Sequence, residues 1–119
     1  MLHRSQPVYI TRDSRLLLSV LNEVLNGFAI DNFDALLGTN RSELEQLRAH
    51  PKGLSDGADI RLNRNQTKVF RNALRETLRE LGVEEFHPRT GFDFEEGEQG
   101  LKRLGHLIKV DESSVDLQP

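Results

Sequence analysis

The chain contains no cysteine and no tryptophan, and it has only one methionine and one tyrosine among its 119 residues. The absence of cysteine excludes disulfide bonds, thiolate catalysis and cysteine-based zinc sites. The sequence also lacks any run of about 18 apolar residues, the length that a membrane-spanning helix needs. Its first residues lack the apolar stretch of a signal peptide. We therefore expect a cytoplasmic protein that makes no membrane contact.

No charge of one sign dominates the composition. The chain has 16 Lys and Arg against 19 Asp and Glu, for a formal net charge of -3. This balance produces no overall attraction to nucleic acid or to anionic lipid, so any such attraction must come from a local patch. The chain length is close to the commonest size of a single domain. We expect one domain covering residues 1–119.

Residues 63–82 carry the strongest pattern in the chain, that of a single amphipathic helix. Gly82 is expected to end this helix as a left-handed cap. Residues 12–28 show the same apolar face, shifted by 53 positions. The predicted core consists of Leu16, Leu17, Val20, Leu21, Val24 and Leu25 packed against Val69, Phe70, Ala73, Leu74 and Leu78.

The same spacing recurs outside the helices and indicates an internal repeat. Phe33 and Phe86 are 53 residues apart, as are Gly38 and Gly91. Short β-prone runs precede both helices. The predicted fold class is α+β, mainly helical. Two similar strand-helix-short helix-helix units pack as one pseudo-twofold domain with a small antiparallel β ribbon. The predicted boundaries are 7–50 for the first unit, 58–104 for the second and 111–119 for a disordered tail.

No arrangement of residues typical of catalysis emerges. Residues 53–57 match the G-x-S-x-G pattern of a hydrolase, but Pro51 and Lys52 precede the serine where a buried strand is required. The four histidines have no paired metal-ligand spacing, and phosphate-binding glycine loops are absent. We predict a protein that is not an enzyme and has no cofactor, no metal ion and no catalytic residues.

Two surface features of the helices predict a binding site for a partner. Five cations recur every three or four residues along the second long helix, on the side opposite its apolar face. This basic stripe consists of Arg64, Lys68, Arg71, Arg75 and Arg79. Leu18 is the second feature, because it lies on the outer side of the first helix, where its counterpart is Arg71. Solvated surface, an acidic protein surface and nucleic acid are the three alternatives for the stripe.

Residues 30–48 resemble in outline the helix-turn-helix of bacterial regulators. In that motif the first residues of the second helix reach base edges. The resemblance implies Asn40, Arg41, Ser42 and Arg48 as nucleic-acid ligands in this chain.

Our leading hypothesis for the function is a small soluble non-enzymatic module. It acts through protein–protein contacts, including homodimerisation, with the basic stripe and Leu18 as its contact surface. The alternative is a DNA- or RNA-binding regulator that uses the basic stripe or the 40–48 helix. A protein partner or self-association is favoured over nucleic acid because the net charge is negative. Gly97 and Gly100 are expected to permit close approach of another backbone.

Overall fold

In the computed structural model, residues 8–10, 13–49 and 60–116 are described. These residues form two short extended segments, β1 (Val8–Ile10) and β2 (Ile60–Leu62). They also form the helices α1 (Ser14–Asn22), α2 (Phe33–Leu37), α3 (Arg41–Ala49), α4 (Arg64–Thr90) and α5 (Phe94–Asp116). A π-helical turn, Glu23–Gly27, continues α1.

The α+β prediction is wrong, because the described part of the chain is mainly helical. Its only extended pairing joins β1 and β2, three residues each, antiparallel with Tyr9 opposite Arg61. Ordinary strands have about five or six residues, and this pairing is too short to form a sheet layer. Strand-helix units therefore do not build the fold. A run of only two or three alternating apolar and polar residues does not establish a β-sheet as a layer of the fold.

The core is formed by α1 and α4, and the predicted core residues are confirmed. All eleven side chains named above are buried, with exposures of 7% or less. Phe86 is also buried, whereas Phe33, its counterpart in the first half, is only half-buried. Thr67 and Thr77 lie on the buried face of α4, where each hydroxyl donates to the carbonyl one turn earlier. The 3.6-residue period therefore identified the correct faces of both helices.

Helix α4 begins with a complete capping box and bends at a glycine. The Asn63 side chain accepts from the Gln66 backbone N–H, and the Gln66 side chain accepts from the Asn63 N–H. Gly82 has φ 67° and ψ −176°, a conformation that is essentially restricted to glycine. As predicted, regular helical geometry ends at Gly82 with a positive φ, and a second helical segment follows directly after the bend and continues to Thr90. The bend changes the direction of residues 83–90.

Helix α5 packs on the core through a face of small residues. Gly97 and Gly100 are buried, followed on the same face by Leu104 and Ile108. A Cβ atom at Gly97 would lie 2.8 Å from Leu78 Cδ2, so these glycines receive neighbouring side chains at very short range. The helix also includes residues 111–116, for which disorder was predicted.

Two pairs of features in α1–α4 keep the spacing of 53 residues. Gly38 and Gly91 both adopt the left-handed conformation directly after a helix. Ser19 Oγ donates to the Thr90 carbonyl at 3.0 Å, and the corresponding donor, Asn72 Nδ2, donates to the Leu37 carbonyl at 3.1 Å. The unit boundaries stay a prediction, because residues 50–59, including the joint expected at 51–57, lie outside the described residues.

Candidate functional site

A shallow, open depression of about 680 Å³ surrounds Leu18, and we call it the Leu18 cleft. Helix α1 contributes Arg15, Leu18, Ser19 and Asn22, helix α3 contributes Arg48, and Thr90 and Phe92 come from the end of α4 and the turn after it. Leu18 and Phe92 are both half-buried and pack against the core with part of their surface. Their remaining surface makes the cleft an apolar depression among polar side chains.

The polar side chains of the Leu18 cleft are held by hydrogen bonds between helices. Arg48 Nη1 donates to Asn22 Oδ1 at 2.9 Å, which connects α3 to α1. Ser19 Oγ donates to the Thr90 carbonyl, which connects α1 to the end of α4. Arg15 is exposed at the same opening and also makes contacts within the protein. The cleft therefore combines an apolar floor with two guanidinium groups, of which that of Arg48 is held by Asn22.

The predicted basic stripe lies along α4, but part of its charge is neutralised within the protein. Arg75 Nε and Arg79 Nη2 lie 3.3 Å and 3.2 Å from the carboxylate of Glu76, whose side chain is only 9% exposed. Arg75 also donates to the Leu36 carbonyl, and Arg71 donates to Asn72. Arg64 and Lys68 are half-buried and make further contacts. Within the stripe, Arg75 is the residue whose hydrogen bond in the described part of the chain connects α4 to α2.

The segment that resembles a helix-turn-helix uses most of its candidate ligands for internal contacts. Arg41 donates to the Leu25 carbonyl and lies 4.9 Å from the centre of the Phe33 ring. Asn40 Oδ1 accepts from the Glu43 backbone N–H and caps α3. Ser42 is exposed, and Arg48 belongs to the Leu18 cleft. The first helix of the hairpin, α2, has only five residues.

Two buried carboxylates join distant parts of the chain. Asp13, at the start of α1, accepts from Arg103 of α5 through both oxygens, at 2.6 Å and 3.0 Å. This hydrogen bonding raises the pKa of Arg103 above its ordinary value, although partial burial opposes the shift. Glu23 Oε1 lies 2.8 Å from Arg89 Nη2, which also donates to the Gly27 carbonyl. Both pairs are structural contacts outside the lining of the Leu18 cleft.

Within residues 13–49 and 60–116, no three His, Asp or Glu side chains lie close enough together to form a metal site. His87 and His106 are exposed, and His87 lies 3.9 Å from Asp93. The G-x-S-x-G residues 53–57, His3 and His50 lie outside the described residues. None of the described helices has the length and hydropathy required to cross a membrane.

Sequence reasoning identified Leu18 but missed the residues that surround it. Phe92 follows α4 and Arg48 ends α3, so only tertiary packing brings them to Leu18. Val83, the first residue after the bend at Gly82, is 71% exposed.

Comparisons with known proteins add no assignment. The chain matches no protein-family model, and neither the curated proteins nor the solved structures contain a significant match to it.

Proposed function

We propose that this chain is a small cytoplasmic, non-enzymatic module that binds a protein partner through the Leu18 cleft. The observation that supports it is the composition of that cleft. Two half-buried apolar side chains, Leu18 and Phe92, share one opening with the guanidinium groups of Arg15 and Arg48. Apolar and aromatic side chains together with arginine are typical of the energetic centre of a protein–protein interface.

The chemistry of the cleft also indicates what kind of partner fits. An apolar side chain of the partner would cover Leu18 and Phe92, removing their remaining surface from water. Carboxylates beside that side chain would lie opposite the positive charges of Arg15 and Arg48. A partner with cations at those positions would be repelled. The partner surface is therefore an apolar residue flanked by acidic residues.

The competing function, nucleic-acid binding through the basic stripe, has less support from the contacts of α4. Glu76 lies within 3.3 Å of both Arg75 and Arg79, so a phosphate would have to compete with a carboxylate that is already in place. Arg71 has no acidic side chain among its hydrogen-bond partners in the described residues. Arg71→Glu is consequently the variant that tests this alternative most directly.

Site-specific photo-crosslinking tests the proposal. A photoreactive amino acid replaces Asn22 at the edge of the cleft, and the control carries it at Glu45, which is exposed on α3 outside the lining of the cleft. Both proteins are irradiated in an extract of the cells that produce this chain. We expect protein adducts from position 22 and none from position 45, and Leu18→Gln should abolish them because it removes the apolar anchor while keeping the side-chain size.

Leu101→Gln is the matched control for Leu18→Gln, since Leu101 is another half-buried leucine that packs on the core but does not line the cleft. Adducts should persist in this control. The proposal is contradicted if position 22 gives only nucleic-acid adducts that Arg71→Glu removes, if it gives no adducts, or if Leu101→Gln has the same effect as Leu18→Gln.

A further inference from the structure

We propose that the occupant of the Leu18 cleft is a second copy of this chain, which inserts the acidic projection formed by Glu80, Val83, Glu84 and Glu85. This inference rests on the proposed function and names its partner. We call these four residues the acidic knob. They lie on both sides of the bend in α4.

The acidic knob has the composition that the cleft requires. Val83 is a large apolar side chain that is 71% exposed. Glu80, Glu84 and Glu85 are also exposed, and none of them forms an ion pair with another described residue. The knob thus presents one apolar side chain surrounded by three carboxylates.

The knob and the cleft are complementary in both hydrophobicity and charge. Val83 of one copy would contact Leu18 and Phe92 of the other, while its neighbouring carboxylates meet Arg15 and Arg48. Opposite charges across such a contact fix the orientation of the two surfaces and exclude like-charged alternatives. The same chain carries both surfaces, so the contact can form between identical copies.

The bend at Gly82 lies within the knob. Glu80 precedes it and Val83 follows it, so the φ and ψ of Gly82 set how these side chains are placed relative to one another. Because Val83 and Thr90 are seven residues apart on one helical segment, the knob is about 10 Å from the edge of its own cleft at 1.5 Å per residue. The contact therefore joins two different regions of the two copies.

Charge-reversal variants of the purified full chain test the proposal by sedimentation velocity over a range of concentrations. Arg48→Glu changes the cleft, and Glu84→Arg changes the knob. Each variant alone should weaken self-association about tenfold, because an attraction becomes a repulsion. A mixture of the two, and the double variant, should recover it, because reversed charges then face each other. Glu45→Arg is the matched charge reversal on exposed α3 surface and should have no effect.

Val83→Ser is a further test, and this variant should fold normally because the side chain is mostly exposed. It should also weaken self-association about tenfold, because the apolar contact is lost. The inference is overturned if the wild-type protein stays monomeric at every concentration, or if it associates and the charge reversals neither weaken nor restore that association. Crosslinking from Asn22 to a different protein would overturn this inference while supporting the proposed function. Absence of protein adducts would contradict both.

Discussion

Replacing Gly97 by alanine should destabilise the protein, although alanine is the better helix former. Gly97 lies on the buried face of α5, opposite α4. The added Cβ would be 2.8 Å from Leu78 Cδ2, 2.8 Å from Phe86 Cζ and 2.9 Å from Phe86 Cε2. These distances are shorter than ordinary van der Waals contact. The Phe86 ring is fully buried, so α5 must move outward or the ring must repack.

Two opposing terms determine the magnitude. Gly→Ala in a helix interior gains about 1 kcal/mol in helix propensity. Overpacking a close-packed core by one methyl group costs about 1–3 kcal/mol. The expected net loss in the free energy of unfolding is therefore about 0–2 kcal/mol. The gain in helix propensity and the cost of overpacking partly cancel. The variant is therefore best compared with a control in which only the helix propensity changes.

Gly105→Ala is that control, because Gly105 lies in the same helix and a Cβ there would have no neighbouring atom within 4 Å. This variant should stabilise the protein by about 0.5–1 kcal/mol. Urea unfolding gives both values from the shift in midpoint at constant slope. The difference between the two variants isolates the packing term, and we expect about 1–3 kcal/mol.

A second background checks that the contact with Phe86 is the cause. In Phe86→Leu, where the ring is absent, Gly97→Ala should cost about 1 kcal/mol less than in the wild type, since contacting residues are coupled. The reasoning is refuted if Gly97→Ala stabilises the protein as much as Gly105→Ala does. It is also refuted if the Phe86→Leu background leaves the cost unchanged.

Three further substitutions test other contacts. Arg103→Ala should lower the free energy of unfolding by about 1–3 kcal/mol, because it leaves the buried carboxylate of Asp13 without its ion-pair partner, while nearby solvent moderates the loss. The pKa of Arg103 is raised in the folded protein, so the ion pair stabilises the fold fully at any pH below the pKa of arginine in the unfolded chain. This stabilisation is lost only as the pH rises through the pKa of Arg103 in the folded protein. The decrease in the free energy of unfolding caused by Arg103→Ala should therefore be equal at about pH 7 and about pH 10. Arg89→Met should cost about 1–3 kcal/mol by removing the charge opposite buried Glu23, because solvent beside Arg89 moderates this loss too. Gly82→Ala should cost about 1–3 kcal/mol, since alanine is strained at the φ and ψ of this bend.

All three are measured by urea unfolding, with Glu45→Ala on exposed α3 surface as the common control. Losses no larger than that of the control would mean that these contacts do not form in solution. For Arg103, a loss that shrinks between neutral and alkaline pH would contradict the assigned ion pair.

The helical core could be predicted because its pattern is long. The faces of α1 and α4 repeat over several turns, so the buried side chains from Leu16 to Leu25 and from Val69 to Leu78 follow from periodicity. The β-prone runs contain only three paired residues each, too few to define a fold class. Gly97 was expected to admit another backbone, whereas the atoms closest to its missing Cβ belong to the side chains of Leu78 and Phe86.

The candidate site was harder to predict, because it depends on tertiary geometry. Leu18 stood out because a leucine on the outer face of a helix breaks the amphipathic pattern. Phe92 and Arg48 reach it from other elements, and residue spacing carries no signal for that convergence. The basic stripe was visible in the sequence, whereas the pairing of two of its arginines with Glu76 depends on side-chain positions.

The salt dependence of association distinguishes a protein-binding surface at Leu18 from a nucleic-acid-binding surface on α4. The purified protein is sedimented at about 50 mM and about 500 mM salt, alone and with a mixed-sequence DNA duplex. An interface anchored by Leu18, Phe92 and Val83 predicts self-association that weakens only several-fold at high salt, with no binding to the duplex. A monomer that binds the duplex at low salt and releases it at high salt would contradict the account, because that behaviour is typical of phosphate neutralisation by the basic stripe.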